Sequence, residues 1–487
     1  MRQSSAASSG GPSRRTFLAG SLAAAALGVA APSVAQAATP TLGGAARTAA
    51  TSAPPPRAPG QRSMIGVPFE PHDVVRVGII GLGNRGMGML RLFDAVPGVE
   101  VAAVCDVRRE RVREASNRLA DLGSRRPRMY DRGPDDWQRL AANDDVDFIY
   151  IATPWELHFP QAAAALRGGK HVGIELPIAT EIDEMWELVN LSEQQRKHCL
   201  LMENCNYGRQ ELAMLRMAHA GVFGELTHGD GGYLHDLRDL LFSETYYYNQ
   251  WRRAWYTKHN RAFYPMHGLA PIAAAMDVNR GDRLATLQAT ASPARGLADY
   301  RERFVPRSRT DVWQEEYVAG DRVTCMITTE QGRMIRAEHN CSDPRPYSRI
   351  NTIAGSRGIL EDYPSRIYVE PDHGNHQWQN SQPYLREYDH WLWQDIGDDA
   401  GNHGGHGGMD YILVYRLMQS MRLGLEPDID IYDSAAWCSA VPLSELSIQT
   451  GAAVDIPDFT RGEWRNYRPG LDSERVPLLE PAMASVR

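Results

Sequence analysis

Residues 74–106 constrain the fold of this chain more than any other stretch. Val74-Val75-Arg76-Val77-Gly78-Ile79-Ile80 is a short apolar run. It is followed by Gly81-Leu82-Gly83-Asn84-Arg85-Gly86, a helical apolar pattern over 85–96 closed by Pro97-Gly98, a second apolar run (Val99–Cys105) and Asp106. A buried strand that enters G-x-G-x-x-G and continues as a helix is a dinucleotide-binding fingerprint. Gly81 permits the tight turn, Gly83 lets backbone approach a pyrophosphate, and Gly86 lets the helix close on the strand. The helix N-terminus, with Asn84 and Arg85 in its first turn, turns free N–H groups and a positive dipole end toward phosphates. Asp106 falls where an acid accepts from ribose hydroxyls and repels a 2′-phosphate, so the pattern selects NAD. Arg108 and Arg109, just beyond, read as a solvated helix start rather than a 2′-phosphate site.

The next hundred residues repeat the theme. Apolar runs at 148–152, 171–175 and 200–203 alternate with helical patterns at 108–122, 158–167 and up to residue 197, the last opening on Thr180-Glu181-Ile182-Asp183 as a capping box. Such alternation predicts a doubly wound parallel sheet over 74–203, an α/β Rossmann domain. Ligands sit outside the carboxyl ends of strands in such sheets, which nominates Asn84, Arg85, Asp106, residues 153–158, Glu175, Leu176 and Asn204.

Length and composition bound the rest. The 487 residues predict two or three domains, with 43% hydrophobic residues to fill their cores. A net charge of −8 argues against a nucleic-acid partner. The six cysteines form no C-x-x-C pair, so neither a disulfide framework nor a zinc site is expected, and they read as reduced core thiols. Residues 1–37 read as a twin-arginine export signal: Ser13-Arg14-Arg15-Thr16-Phe17-Leu18, a small apolar run over 19–31 too short to span a membrane, and Ala35-Gln36-Ala37 as the cleavage site. The expected location is periplasmic or secreted. That route carries folded proteins, so a cytoplasmic dinucleotide has to travel seated in its site, and tight binding is expected. Residues 38–73, rich in Ala, Thr, Pro and Gly, read as a linker.

From 204 to 487 the periodicity changes. Helical patterns at 209–221, Met409–Leu423 and 434–451 mix with strand patterns at Leu226–Leu234, 350–354 and 367–370 and a hairpin formed by Arg322–Thr329 and 333–339. A mixed α+β domain after a dinucleotide fold resembles the glucose–fructose oxidoreductase and inositol dehydrogenase superfamily. The resemblance implies an open, largely antiparallel sheet covering the nicotinamide. Dehydrogenases of that group carry Glu-Lys-Pro with a catalytic lysine; this chain has Glu175-Leu176-Pro177.

In that departure the chain resembles glycoside hydrolase family 109, the NAD-dependent N-acetylgalactosaminidases. Trp155-Glu156-Leu157-His158 is similar to its W-x-x-H cofactor segment, and Met202-Glu203-Asn204-Cys205 to the segment carrying a cofactor-binding Asn. Gly231-Gly232-Tyr233-Leu234-His235-Asp236-Leu237-Arg238, Trp251-Arg252, Tyr264-Pro265-Met266-His267-Gly268-Leu269 and Pro344-Arg345-Pro346-Tyr347-Ser348 resemble its substrate segments. Asn279-Arg280-Gly281-Asp282-Arg283, Gly405-His406-Gly407-Gly408-Met409-Asp410 and 457–462 complete the series. The resemblance implies substrate contacts by Tyr233, Arg252, Tyr264, His267 and Tyr347, with His267 and Tyr347 acting at the sugar C3. It also implies cofactor contacts by Trp155, His158, Glu175, Leu176 and Asn204. The chain departs from the family pattern at Ala270 in place of Gly, at Asn206 before Tyr207, and at Met266 in place of Thr, which beside His267 leaves the exact sugar unassigned.

The implied activity is hydrolysis of N-acetylhexosaminides, α-N-acetylgalactosaminides foremost, by transient C3 oxidation, elimination across C1 and C2, water addition and re-reduction. A periplasmic NAD(P)-dependent sugar oxidoreductase is the alternative, and a non-catalytic sugar binder with a structural NAD is the third reading. His403 and His406, in a glycine-rich segment without a nearby carboxylate set, make a poor metal site, and no metal is expected. The aromatic cluster of Tyr246, Tyr247, Tyr248, Trp251, Trp255 and Tyr256 suits either sugar stacking or a subunit contact, the latter pointing to a homo-oligomer.

Overall fold

The computed structural model describes residues 54–371, 376–466 and 468–480; the export signal and the first part of the linker lie outside them. Six parallel strands form the first sheet: β1 (Val75–Ile80), β2 (Val99–Cys105), β3 (Arg128–Tyr130), β4 (Phe148–Ile151), β5 (His171–Ile174) and β6 (Cys199–Leu201), in the order β3-β2-β1-β4-β5-β6. Their near-continuous apolar sequences suit strands covered by helices on both faces. Register levels their carboxyl ends. Ile80 pairs with Cys105 on one side and Ile151 on the other, Ile151 with Ile174, and Ile174 with Leu201. Gly81, Asp106, Glu175 and the residues just after Leu201 therefore leave the sheet along one edge.

The second sheet has eight strands, mixed but mostly antiparallel: β7 (Leu226–Leu234), β8 (Leu284–Ala291), β9 (Arg322–Thr329), β10 (Met334–Asn340), β11 (Thr352–Gly355), β12 (Gly358–Glu361), β13 (Arg366–Val369) and β14 (Val454–Asp455). Their order is β13-β12-β11-β7-β10-β9-β8-β14, and the β7–β10 pair is parallel. The helix Met266–Ala275 lies directly on β7. A Cβ on Gly268 would stand 1.8 Å from the Gly232 backbone N, so only glycine allows this approach. That contact sets His267 beside Tyr233.

Several expectations shift in detail. The helix after β4 runs Trp155–Arg167, three residues earlier than its apolar pattern indicates, with Pro160 inside it. The helix Ile182–Gln195 begins without a side-chain cap on its N-cap residue. Thr180 instead donates its N–H and hydroxyl to the Glu184 carboxylate, one residue beyond a capping-box spacing. The pattern over 434–451 is two helices, Ile431–Cys438 and Ala440–Thr450. The first of these packs back on the Rossmann sheet, where the Ser434 hydroxyl accepts from Leu201 N and Cys438 Sγ from Ile178 N. All six cysteines are reduced and buried, and no helix of the described residues is long and apolar enough to cross a membrane.

Residues 54–73 are not a free tether. Two apolar side chains in that polar stretch, Met64 and Phe69, are buried, and Phe69 packs 4.3 Å from the His198 ring. Arg57 makes a two-point ion pair with the fully buried Glu193, which also receives Tyr432 (2.6 Å) and Arg461 (3.0 Å). The strap thus closes a charge that would be costly to leave alone in the core.

His219 ties together three segments of the C-terminal domain, with one ring nitrogen 3.1 Å from Asp277 and the other 3.1 Å from Asp472. Burial works against its charge, but the two carboxylates outweigh burial and raise its pKa to about 9. A folded-state value above the unfolded value means stability that is fully present below about pH 6.5 and lost as pH rises through about 9. In thermal denaturation from pH 6 to 10, wild type is expected to lose its advantage over His219→Gln across that window. A difference in melting temperature that stays constant would refute the assignment.

Candidate active site

A cavity of about 440 Å³ lies between the carboxyl edge of the first sheet and the second lobe. Its floor is the glycine turn. Gly81 has φ +92°, and a Cβ there would lie 2.6 Å from the Ala152 carbonyl oxygen; a Cβ on Gly86 would lie 1.8 Å from the Gly81 oxygen. Gly83, by contrast, faces open cavity with nothing within 4 Å, so its backbone is bare where a pyrophosphate would rest. Asp106 is buried. Its Oδ2 accepts from Leu82 N (2.7 Å), and its Oδ1 from Arg108 N (2.9 Å) and Nε (3.3 Å). Arg108 is therefore not a solvated helix start: it is tied to Asp106 and lies over the Tyr248 ring at 4.8 Å. Arg109 is the solvated one, paired with Asp131 at the surface.

Arg85 bridges the two lobes. It donates to Glu175 Oε1 (2.7 Å) and to Asp410 Oδ2 (2.7 Å), while Tyr150 OH also donates to Glu175 Oε1 (2.7 Å) and Asn204 Nδ2 to Asp410 Oδ1 (2.7 Å). Burial opposes the Asp410 charge, but Arg85 and His406 prevail and hold its pKa well below the usual carboxylate range. The Asn84 side chain donates to the Tyr246 carbonyl (3.1 Å), so the segment holding Tyr246–Tyr248 lies across the mouth of the cavity. The bare Gly83 backbone, the helix N-terminus beside it and the charged residues around it suit a dinucleotide.

Other predicted cofactor residues are set back. Thr153, Pro154 and Leu157 form the wall after β4, whereas Trp155 and His158 do not line the cavity. Both ring nitrogens of His158 are taken up by the Thr153 and Pro177 carbonyls (2.8 and 2.7 Å), which makes it a brace between two turns. Leu176 is a buried core residue, and no lysine lines the cavity among the described residues.

On the opposite wall His267, at the start of its helix, is hydrogen-bonded through Nδ1 to Glu203 Oε1 at 2.6 Å. Glu203 follows β6, is fully buried, and also accepts from Cys205 N (3.0 Å); its Oε2 has no partner. With Nδ1–H given to the carboxylate, Nε2 is the free acceptor, a His–carboxylate arrangement suited to a general base. Tyr233 OH meets His235 Nδ1 at 3.0 Å, and the Tyr233 ring is 5.2 Å from His267 and 5.1 Å from Tyr264. Burial and then Arg252 lower the His235 pKa, so that ring is neutral at pH 7.

Arg252 sits among rings, 4.9 Å from Tyr264, 5.2 Å from Trp155 and 5.7 Å from Tyr247. Among the described residues its one polar partner is Tyr247 OH at 3.3 Å, and its Nε and Nη2 are buried without one. Two unpartnered donors on a buried guanidinium are a cost that the surrounding rings offset only in part.

Tyr347 is set apart from His267. It does not line the cavity: it lies 5.0 Å from the His235 ring, its hydroxyl accepting from Arg349 (3.2 Å). Met266 and Ala270 are fully buried and do not line the cavity, so these two departures from the family pattern are core substitutions. Sequence reading missed Glu203, His235, His406 and Asp410. The first two lie inside segments quoted above for their neighbours. Asp410 supplies the carboxylate that the glycine-rich segment was judged to lack, 2.8 Å from His406.

Residues 75–203 match the family model of the oxidoreductase NAD-binding Rossmann fold, and 207–466 that of the glycosyl hydrolase 109 C-terminal domain. A glycosyl hydrolase family 109 protein of Streptomyces coelicolor is 61% identical over 439 residues, 89% of this chain and 93% of that protein. One of Saccharopolyspora erythraea is 53% identical over 425 residues, 87% and 92% of the two chains. Among solved structures, an NAD-binding oxidoreductase of Klebsiella pneumoniae superposes with a TM-score of 0.60 at 18% identity, covering 79% of this chain and 99% of the other. A levoglucosan dehydrogenase in complex with NADH and L-sorbose gives 0.58 at 18%, covering 79% and 100%. At that identity the likeness is one of fold.

Proposed function

The chain belongs to glycosyl hydrolase family 109, and on that footing we propose that it hydrolyses N-acetylhexosaminides, α-N-acetylgalactosaminides foremost, with a resident NAD. The observation that carries this reading is the Glu203–His267 pair facing the same cavity as the glycine turn, with Leu176 where a dehydrogenase lysine would stand. A bound dinucleotide would supply reversible hydride chemistry at C3, so that the net reaction is hydrolysis. Gly81, Gly83, Asn84, Arg85, Gly86, Asp106, Glu175 and Asn204 would hold it.

The residues of the chain handle protons and position. His267 Nε2 takes the C3 hydroxyl proton, and Glu203 stabilises the imidazolium that results. The ketone at C3 acidifies the C2 hydrogen. Once that proton is lost, the C1–O bond breaks and a C1=C2 bond forms; water then adds at C1, C2 is reprotonated, and His267 returns its proton to the C3 oxygen. Arg252 on the cavity wall is placed to meet the N-acetyl group, and Tyr233 and Tyr264 on the same wall hold the ring. Hydrolysis of aryl α- and β-N-acetylhexosaminides in D₂O is expected to place deuterium at C2 of the product. Hydrolysis without C2 deuterium would overturn the elimination route. Accumulation of reduced cofactor without hydrolysis would establish the oxidoreductase reading instead.

Tight binding is supported by the same geometry, in which the Tyr246–Tyr248 segment is anchored to Asn84 and Arg108 across the mouth. Purified protein dialysed without nucleotide is expected to release a near-stoichiometric amount of NAD on acid denaturation; empty protein after dialysis would refute retention. A retained cofactor suits export in the folded state, and Arg14→Lys with Arg15→Lys is expected to leave the protein in the cytoplasm.

A further inference from the structure

Thr245, Tyr246, Tyr247 and Tyr248 line the cavity, yet none of residues 243–250 is buried. The segment is a wall one chain thick, with the cavity on one side and solvent on the other. One side chain pins its base at both ends. Arg309 donates through Nη1 to the Phe242 carbonyl (3.2 Å) and Glu244 Oε1 (3.1 Å), and through Nη2 to Gln250 Oε1 (3.0 Å). At the second pin, Asn249 and Gln250 are consecutive non-glycine residues in the left-handed region (φ +51° and +52°). Such backbone persists only where its surroundings hold it, and it collects at clamps and switches. From this base the segment reaches the first lobe at two points: the Tyr246 carbonyl accepts from Asn84 Nδ2, and the Tyr248 ring meets the Arg108 guanidinium. Tyr247, between them, accepts from Arg252 on the sugar side.

These contacts follow the long axis of the cavity. Arg108 comes after β2, and Glu203, the partner of His267, comes after β6. In the order of the sheet those strands are four places apart, about 19 Å at the usual strand spacing. Tyr248 therefore closes at the Asp106 end, where a ribose would rest, far from the reacting sugar. Arg108 is a fixed platform there, because Asp106 holds both its N–H and its Nε. Neither sugar stacking nor a subunit contact takes up Tyr248, whose ring is spent on the first lobe. We propose that residues 243–250 are a latch over the dinucleotide: hinged at Asn249 and Gln250, held by Arg309 and closed by Tyr248 on Arg108, it sets how long the cofactor stays. The inference rests on the resident-cofactor reading above. Few contacts hold the latch, so it opens as a local unit without the lobes parting. Opening bares the cavity from Asp106 to Asn84, and the dinucleotide leaves by that side.

The test is the rate at which the holoenzyme loses NAD, followed by timed gel filtration of wild type, Tyr248→Ala, Tyr248→Phe and Arg309→Met. Contacts made only in the closed state act on escape rather than entry, so Tyr248→Ala is expected to release NAD on the order of 10-fold faster than wild type. Tyr248→Phe keeps the ring over the guanidinium and is expected to stay within about two-fold of wild type. Arg309 does not line the cavity, so Arg309→Met acts only through the latch, and it too is expected to speed release. All three variants are expected to bind NAD stoichiometrically when it is supplied in excess, which a damaged site would not do. Release at the wild-type rate in Tyr248→Ala, release as fast in Tyr248→Phe as in Tyr248→Ala, an unchanged rate in Arg309→Met, or variants that no longer fill with NAD would each overturn the latch. Wild type that holds no NAD and takes up none would instead overturn the resident-cofactor reading, and the latch with it.

Discussion

His267→Ala is expected to lower kcat/KM for an aryl α-N-acetylgalactosaminide by about 10³-fold, or ~4 kcal/mol, with NAD content and melting temperature near those of wild type. The magnitude follows from the geometry. His267 is the cavity histidine whose second nitrogen is anchored to a fully buried carboxylate, Glu203, at 2.6 Å. That anchoring fixes the tautomer, orients Nε2 into the cavity and supplies a countercharge when the ring is protonated. Glu203→Gln keeps the shape and the contact with Cys205 N while removing the countercharge, so a smaller loss, about 10- to 10²-fold, is expected from it. Steady-state kinetics on both variants, with released NAD measured in parallel, check the pair. A wild-type-like rate in His267→Ala would remove it from the chemistry, and a Glu203→Gln loss larger than that of His267→Ala would make the glutamate itself the reacting group.

The site was only partly legible in the sequence, and the division follows the range of the interactions. The glycine turn, Asp106 and Glu175 are positioned by local rules: strand ends, a turn that needs glycine, a helix that follows. Such rules act over a few residues and leave a pattern that can be counted. Leu176 was also legible, because one residue type is missing from a short local motif. Pairing across the chain leaves no such trace. Arg85 meets Asp410 across 325 residues, and Glu203 meets His267 only because Gly268 lets a helix lie on β7. Trp155 and His158 sit in the right segment, yet the helix turns the one under Arg252 and the other between two carbonyls. Met266 illustrates the converse: adjacency in sequence to His267 says nothing about adjacency in the cavity, since successive residues on a helix face different ways. The strap 54–73 was hidden by composition, because two buried anchors, Met64 and Phe69, suffice to pin a stretch that is otherwise polar and proline-rich.

Arg252→Met should separate binding from stability. The wild-type guanidinium is buried with Nε and Nη2 unpartnered and one polar contact at 3.3 Å. A buried unsatisfied donor costs about 1–3 kcal/mol, more when charged, and the contacts with Tyr264, Trp155 and Tyr247 offset only part of that. Methionine has a comparable flexible stem, carries no charge and makes favourable contacts with ring edges. The substrate-free variant is therefore expected to be more stable than wild type, by about 1–2 kcal/mol, read as a higher denaturation midpoint in urea. The same change removes the guanidinium that the proposed function places at the N-acetyl group. A charged hydrogen bond lost to a buried acceptor costs about 2–4 kcal/mol, so KM is expected to rise by roughly 10²-fold or more, with a smaller effect on kcat. A sugar lacking the N-acetyl group should bind wild type and variant nearly alike, because it brings no acceptor to that position. If Arg252→Met instead destabilises the fold and leaves KM unchanged, the arginine is a structural cation held by its rings, and the acceptor site must be sought elsewhere on the cavity wall.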